Sequence, residues 1–134
     1  MSPDNEKIQI VDLVGAPFSI DNKQGFSCWG LCQEVYKRLC CSLPTVEEIT
    51  CPTQCKDFCN SVQMICERIS KPIPWCLVMF WKTPGFASHI GVVLEDSHRF
   101  IHSREDLGVV IERLDNFYWM KHTEGFYEFS IAEN

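Results

Sequence analysis

The sequence predicts an α+β domain in which N-terminal helices pack on a five-stranded antiparallel sheet. Three observations lead there. Apolar residues recur at helical spacing as far as Ile69, and after Pro74 the chain switches to runs of β-branched, apolar and aromatic residues. Short polar or glycine-containing turns join those runs, and a block of helices followed by a block of strands indicates helices covering one side of an antiparallel sheet. A chain of 134 residues, 46% of them hydrophobic, is of a size to form one domain with its own core, so residues 1–134 read as a single domain without a linker.

The elements follow in order. From Lys7 to Val14, Ile8, Ile10, Val11 and Val14 fit a short helix that stops at Gly15, with Pro17 just beyond. A second helix is predicted over Cys28–Cys40, where Leu31, Cys32, Val35, Tyr36 and Leu39 keep the 3.6 period and "SLPT" ends the run. A third is predicted from near Pro52 to Ile69, its stripe formed by Cys55, Phe58, Cys59, Val62, Ile65, Cys66 and Ile69; it makes a Cys-rich helical insert at about 44–69. Five strands come next, in "WCLVMFW", "HIGVVL", "RFIHS", "GVVIERL" and "GFYEFSIA".

Composition removes several functions. With a net charge of -6 and twelve Lys and Arg residues spread along the chain, no basic face is available for phosphates, and nucleic acid is not an expected partner. No segment approaches the roughly 18 apolar residues of a membrane span, and the N-terminus lacks an apolar leader core. The expected location is therefore the cytoplasm at synthesis, with any later delivery depending on other machinery. Nine cysteines are an odd number in a chain too long to need a disulfide framework, so they read as reduced thiols, with Cys40, Cys41 and Cys51 the candidates for one or two disulfides should the protein reach an oxidising compartment. Cys51, Cys55, Cys59 and Cys66 lie along one side of the third helix without a CxxC pair, which suits small core residues better than a zinc site; no metal or other cofactor is expected.

One cysteine has a different setting. Cys28 follows a Gly- and Ser-bearing turn and opens a helix, where backbone N–H groups and the macrodipole favour a thiolate. A base has to come from elsewhere, and "HIGVVLEDSHRFIHS" supplies two histidines. If Asp96 and Ser97 form a two-residue turn, paired positions sum to 193 and His102 lies opposite Gly91. His89 shares the face of Gly91, so His89 and His102 become diagonal neighbours about 7 Å apart at the backbone, with Gly91 leaving room for the ring. Nucleophile, base and base-orienter are what nucleophilic catalysis needs, and Cys28, His89 and His102 supply them. His98, in the turn, and His122, in a polar loop, are expected in solvent.

With these residues in place, the chain resembles the NlpC-type, papain-like cysteine peptidases. "VGAPFSIDNKQGFSCWGLCQEVYKRL" is similar to that family's short helix, G-x-P-aromatic turn and nucleophile helix. "PIPWCLVMFW" resembles its next strand, "SHIGVVLEDSHRFIHS" its H-V-G-I-Y strand and following F-x-H-A, and "GVVIERLDNFYW" the strand after that. The resemblance implies a papain-like fold, Cys28 as nucleophile, His89 as general base and His102 as the residue that orients it, with Phe18, Trp29 and Ser88 as binding residues beside them. The sequence departs from the pattern in three features: Ser27 stands where an acidic residue is usual, the pair Trp75 and Cys76 where Gly-Asp is usual, and Phe18 where many members have Tyr.

The resemblance implies a cysteine hydrolase of peptide or amide bonds, with peptidoglycan stem peptides as the substrate most members cut and no cofactor. Trp29, Trp75, Trp81 and Phe86 are candidates to line its cleft. The Trp after Cys28 is like the variant found in phage-tail members, so phage-tail or secretion-machine proteins are the expected delivery partners. The alternatives are a structural tail component with an unused triad, and an acyltransferase or amidase on another substrate.

Overall fold

In the computed structural model the described residues are 9–39, 43, 62, 66–83 and 86–129, those at 82, 83 and 86–88 by backbone alone. Val11–Leu13 form one 3₁₀ turn, closed at Gly15 with φ +97°. The sequence placed a longer helix here, from Lys7; residues 1–8 lie outside the described residues. Helix α1 spans Cys28–Arg38 and is capped as its sequence suggests, the Ser27 hydroxyl accepting from Gly30 N–H at 3.0 Å. Lys37 and Arg38 complement its C-terminal end.

Strands β1 (Cys66–Ile69), β2 (Leu77–Thr83), β3 (Phe86–Val93), β4 (Arg99–Arg104), β5 (Gly108–Arg113) and β6 (Thr123–Phe129) form one sheet in the order β1-β6-β2-β3-β4-β5, each neighbouring pair antiparallel. A six-residue helix, α2 (Phe117–His122), precedes β6 and is capped by Asn116, whose side-chain oxygen accepts from Tyr118 and Trp119 N–H. The sheet thus has six strands, not the expected five. The extra one is Cys66–Ile69, expected as the end of the third helix; it adds to an edge by pairing with β6. Most of that expected insert, 44–61 and 63–65, lies outside the described residues, as do Cys40, Cys41, Cys51, Cys55 and Cys59.

Alternation along the strands separates two apolar layers. Leu77, Met79, Ile90, Val92, Ile101, Val109 and Tyr127 meet Leu31, Cys32 and Val35 of α1 and Leu13 of the 3₁₀ turn. On the other face Cys76, Val78, Phe80, Val93 and Phe100 form a second cluster, joined by Leu114, Trp119 and Phe126. Phe80 and Phe100 are fully buried, their ring centroids 5.0 Å apart. Helix α1 packs on β3 and β4, the strands that carry the two histidines. Among the described residues no helix is long and apolar enough to cross a membrane.

Candidate active site

The β3–β4 register is the one that puts the histidines together. Val92 pairs with Ile101 and Val93 with Phe100, so paired positions do sum to 193. The turn is longer than two residues, however. Leu94 N–H donates to the Arg99 carbonyl and Ser97 N–H to that of Leu94, which leaves Glu95–His98 as a four-residue loop with Ser97 at φ +64°. The Asp96 side chain holds that loop by accepting from the N–H groups of His98 and Arg99. Gly91 has the role expected of it: a Cβ there would stand 2.9 Å from the Ile101 carbonyl oxygen and 3.0 Å from His102 Cβ.

His89 Nε2 and His102 Nδ1 are 2.8 Å apart, with ring centroids at 5.0 Å and planes at 66°. Both rings share the sheet face of Phe80 and Phe100, and Trp119 of α2 lies against them, its ring centroid 4.8 Å from that of His102 and 6.2 Å from that of His89. Register breaks flank this point on both sides of β2. Phe80 pairs with His89 but Trp81 pairs with Ala87, leaving Ser88 as an extra residue in β3; Met79 pairs with Gly125 and Phe80 with Thr123, leaving Glu124 extra in β6. Such bulges bend a sheet and re-aim the side chains beside them.

His102 is 0% exposed and does not stop at His89. Its Nε2 lies 2.9 Å from Glu112 Oε2 on β5. Glu112 also accepts from Arg104 Nη1 at 3.1 Å and from Trp119 Nε1 at 2.8 Å, and Arg104 is itself paired with Asp106. Burial pushes the His102 imidazole down to about 4, against an upward pull from Glu112. It is therefore neutral near pH 7, and its contact with Glu112 is a hydrogen bond rather than an ion pair. Burial acts to raise the Glu112 carboxyl, but hydrogen bonds from His102, Trp119 and Arg104 outweigh it and hold it below its ordinary value.

Cys28 is the first residue of α1 and is half-buried at the margin of the main core. The chain leading to it is fixed at several points. Ser27 N–H donates to Asn22 Oδ1 at 2.8 Å, and a Cβ on Gly30 would stand 1.9 Å from that same oxygen, so the Asn22 loop is seated on the first turn of α1. Ser103, next to His102, donates its hydroxyl to the Phe26 carbonyl at 2.7 Å, tying the segment before Cys28 to β4. Of the other described thiols, Cys32, Cys66 and Cys76 are all pushed up by burial, the last two to about 12 and about 11. An apolar setting of that kind suppresses reactivity.

The remaining expected site residues are placed as follows. Phe18 is half-buried and bridges to Phe26. Ser88 is the bulge residue next to His89, described by its backbone. Trp29, expected at the cleft, is 4% exposed and belongs to the main core, and Trp75 packs against that core. His98 is exposed as expected; His122 instead ends α2, half-buried and stacked on the Tyr118 ring. Sequence reading missed Glu112, Arg104 and Trp119. The signal for Glu112 was available in the β4–β5 hairpin, where His102 pairs with Val110 and Glu112 is the diagonal neighbour on the same face.

Comparison with solved structures returns the same fold. A protein from Staphylococcus aureus subsp. aureus Mu50, described as similar to a lipoprotein of the NLP/P60 family, superposes with a TM-score of 0.63 at 23% identity, covering 96% of this chain and 42% of that one. An NlpC/P60 family protein from Bacillus cereus ATCC 10987 gives 0.57 at 17% identity, over 92% and 41%. The chain thus spans about two fifths of the length of these two proteins. Comparison with curated protein sequences finds no match. The NlpC/P60 family model matches residues 15–128, a stretch that runs from Gly15 through α1 and the first five strands to Glu128 in β6. The chain belongs to the NlpC/P60 family, whose members are generally hydrolases of the cysteine peptidase and amidase type.

Proposed function

We propose that the protein is a cysteine hydrolase that cleaves a peptide or amide bond, with Cys28 as nucleophile, His89 as general base and His102 as the residue that orients it. The observation that carries this reading is the 2.8 Å contact between His89 and His102 under the cover of Trp119. In the mechanism the His89 imidazole takes the Cys28 proton and the thiolate adds to the carbonyl carbon. The first turn of α1 supplies N–H groups toward the oxyanion, and His89 returns the proton to the leaving amine. Water then attacks the thioester, His89 again removing a proton, and the acid leaves as Cys28 is regenerated. Phe18 and Ser88, on the two segments that lead to Cys28 and His89, are the proposed substrate contacts.

The substrate class we propose is the peptidoglycan stem peptide, on family membership. Reaching it calls for export or for a delivery partner such as a secretion machine. Nothing in the structure or the comparisons favours the tail-component alternative.

The reading requires the Cys28 thiol to exchange its proton with His89, and alkylation tests that directly. Iodoacetamide rates measured against pH, with the modified residue located by mass spectrometry, are expected to show Cys28 reacting fast well below pH 8 and slowing in a His89→Ala variant. A Cys28 that reacts no faster than the buried thiols, or that ignores His89→Ala, refutes the mechanism. Cleavage of synthetic stem peptides by the native protein and not by Cys28→Ser then tests the substrate.

A further inference from the structure

The site holds a residue that the Cys-His-His triad does not use. We propose that Glu112 is a positioning residue, which fixes the direction of the hydrogen bond between His102 and His89 and so decides which nitrogen of His89 is basic.

Three groups converge on the Glu112 carboxylate: Arg104 Nη1 and Trp119 Nε1, which can only donate, and His102 Nε2. An ionised carboxylate can only accept, so His102 must carry its hydrogen on Nε2. His102 is fully buried and neutral, with a single ring hydrogen. Its Nδ1 is then a lone pair, and the 2.8 Å contact can be made only if His89 donates from Nε2. In neutral His89 the lone pair therefore resides on Nδ1. When the thiol ionises, its S–H bond breaks and an Nδ1–H bond forms on His89, while the Nε2–H bond to His102 stays in place. Glu112 touches neither thiol nor substrate in this scheme. It acts through His102, and the hydrogen bonds it accepts from His102, Trp119 and Arg104 keep its carboxylate ionised, while Asp106 pairs with Arg104 on the same hairpin.

The substitution that separates charge from shape is Glu112→Gln. Because Arg104 Nη1 donates to the same oxygen as His102, Glu112→Gln is made throughout together with Arg104→Met; the carboxamide then turns its oxygen to Trp119 Nε1 and donates to His102 Nε2, which moves the His102 hydrogen to Nδ1, turns the inter-histidine bond round and places the His89 hydrogen on Nδ1, where it blocks proton uptake. Glu112→Asp keeps a group that only accepts. The inference rests on the reading of His89 as the base, so its primary measurement leaves Cys28 aside: nitrogen-15 NMR of the histidine rings at pH 7. The expected result is a hydrogen on Nε2 of both His102 and His89 in the native protein and in Glu112→Asp, and on Nδ1 in Glu112→Gln. A native His102 protonated on Nδ1 or on both nitrogens overturns the inference, and so does a folded Glu112→Gln with unchanged tautomers. Should Glu112→Gln fail to fold, the native and Glu112→Asp spectra decide alone.

Cys28 alkylation is the second readout, with an expected slowing of about 10- to 100-fold in Glu112→Gln, by analogy with the loss when the outer partner of a metal-bound histidine is removed. Predicted tautomers with an unreactive native Cys28 sink the hydrolase mechanism and leave the role of Glu112 standing. A fast native Cys28 with unchanged tautomers in Glu112→Gln does the reverse.

Discussion

Protonating His102 should cost this fold stability over a defined pH range. The perturbation is acidification from pH 7.5 to 4.5, and the group is a fully buried imidazole depressed from its ordinary 6.5 to about 4, chiefly by burial. An unfolded chain takes up a proton at this position as pH falls through 6.5, whereas the folded chain resists until about 4. Between those values the unfolded state binds more protons, so stability rises with pH. The contribution is complete above pH 6.5 and is lost as pH falls toward 4. Its size is about 3 kcal/mol, at a slope near 1.4 kcal/mol per pH unit in the middle of the window. That is a large share of the 5–15 kcal/mol typical of a domain. Glu112, Arg104 and Asp106 are the charged groups whose fields reach the ring; Arg104 adds to the depression, and Glu112 and Asp106 pull in the opposite sense. Urea unfolding at half-unit steps of pH, on the native protein and on His102→Asn, isolates the term by difference. The native slope should exceed the variant's by about 1 kcal/mol per pH unit between 6.5 and 4. Parallel curves would refute the assignment of a neutral, buried His102.

Further outcomes follow from single contacts. Ser27→Ala removes the acceptor for Gly30 N–H and should lower stability by about 1 kcal/mol, read as a shift in the urea midpoint at unchanged slope. Gly91→Ala drives a methyl against the Ile101 carbonyl and His102 Cβ, with an expected loss of about 1–3 kcal/mol and of the inter-histidine hydrogen bond in ring NMR. Gly125→Ala is its contrast, since the atoms nearest a methyl there belong to the half-exposed Arg68 guanidinium, a side-chain end that can shift at the cost of its contacts to Glu124 and Tyr127 where a backbone carbonyl cannot, so the urea midpoint should change less. Cys32, Cys66 and Cys76 should resist alkylation at pH 8 until the protein is unfolded, and equal labelling of all four described cysteines in the folded state would contradict their burial.

The parts of the fold that were legible are those where one local rule acts alone. Helix α1 obeys a single period behind a serine cap, and its start at Cys28 was readable to the residue. The β3–β4 register survived a misread turn for a geometric reason: lengthening a hairpin loop by one residue on each side leaves every remaining pair unchanged, so a two-residue and a four-residue loop share the sum of 193. Strand β1 was not legible because Cys66 and Ile69 also fit a helical stripe, and what makes them a strand is pairing with Arg68↔Tyr127 and its neighbours some 60 positions away. Helix α2 has six residues, too few for periodicity to register, and the sequence reading did not use the Asn116 cap that starts it. Glu112 depends on the β4–β5 register, set by a three-residue turn and by Gly108 at φ +79°, which the sequence reading did not use.

The face that carries the histidines also argues against a purely structural role for them. Along β3 and β4, Val93 and Phe100 belong to a layer with Val78, Phe80, Trp119 and Phe126, and the local pattern asks for an apolar side chain at position 102. A neutral imidazole there brings two ring nitrogens out of water, and each needs a partner to offset the loss. Supplying those partners takes His89 on one side and a carboxylate on the other, and that carboxylate in turn is held by Arg104 and Trp119. A leucine would satisfy the layer with none of this, and without the loss of stability below pH 6.5. A sheet whose task was only to pack has no use for a hydrogen-bonded chain running from β3 to β5 through its apolar layer, whereas His89 as the proposed base, which would present one chosen nitrogen to a thiol, does.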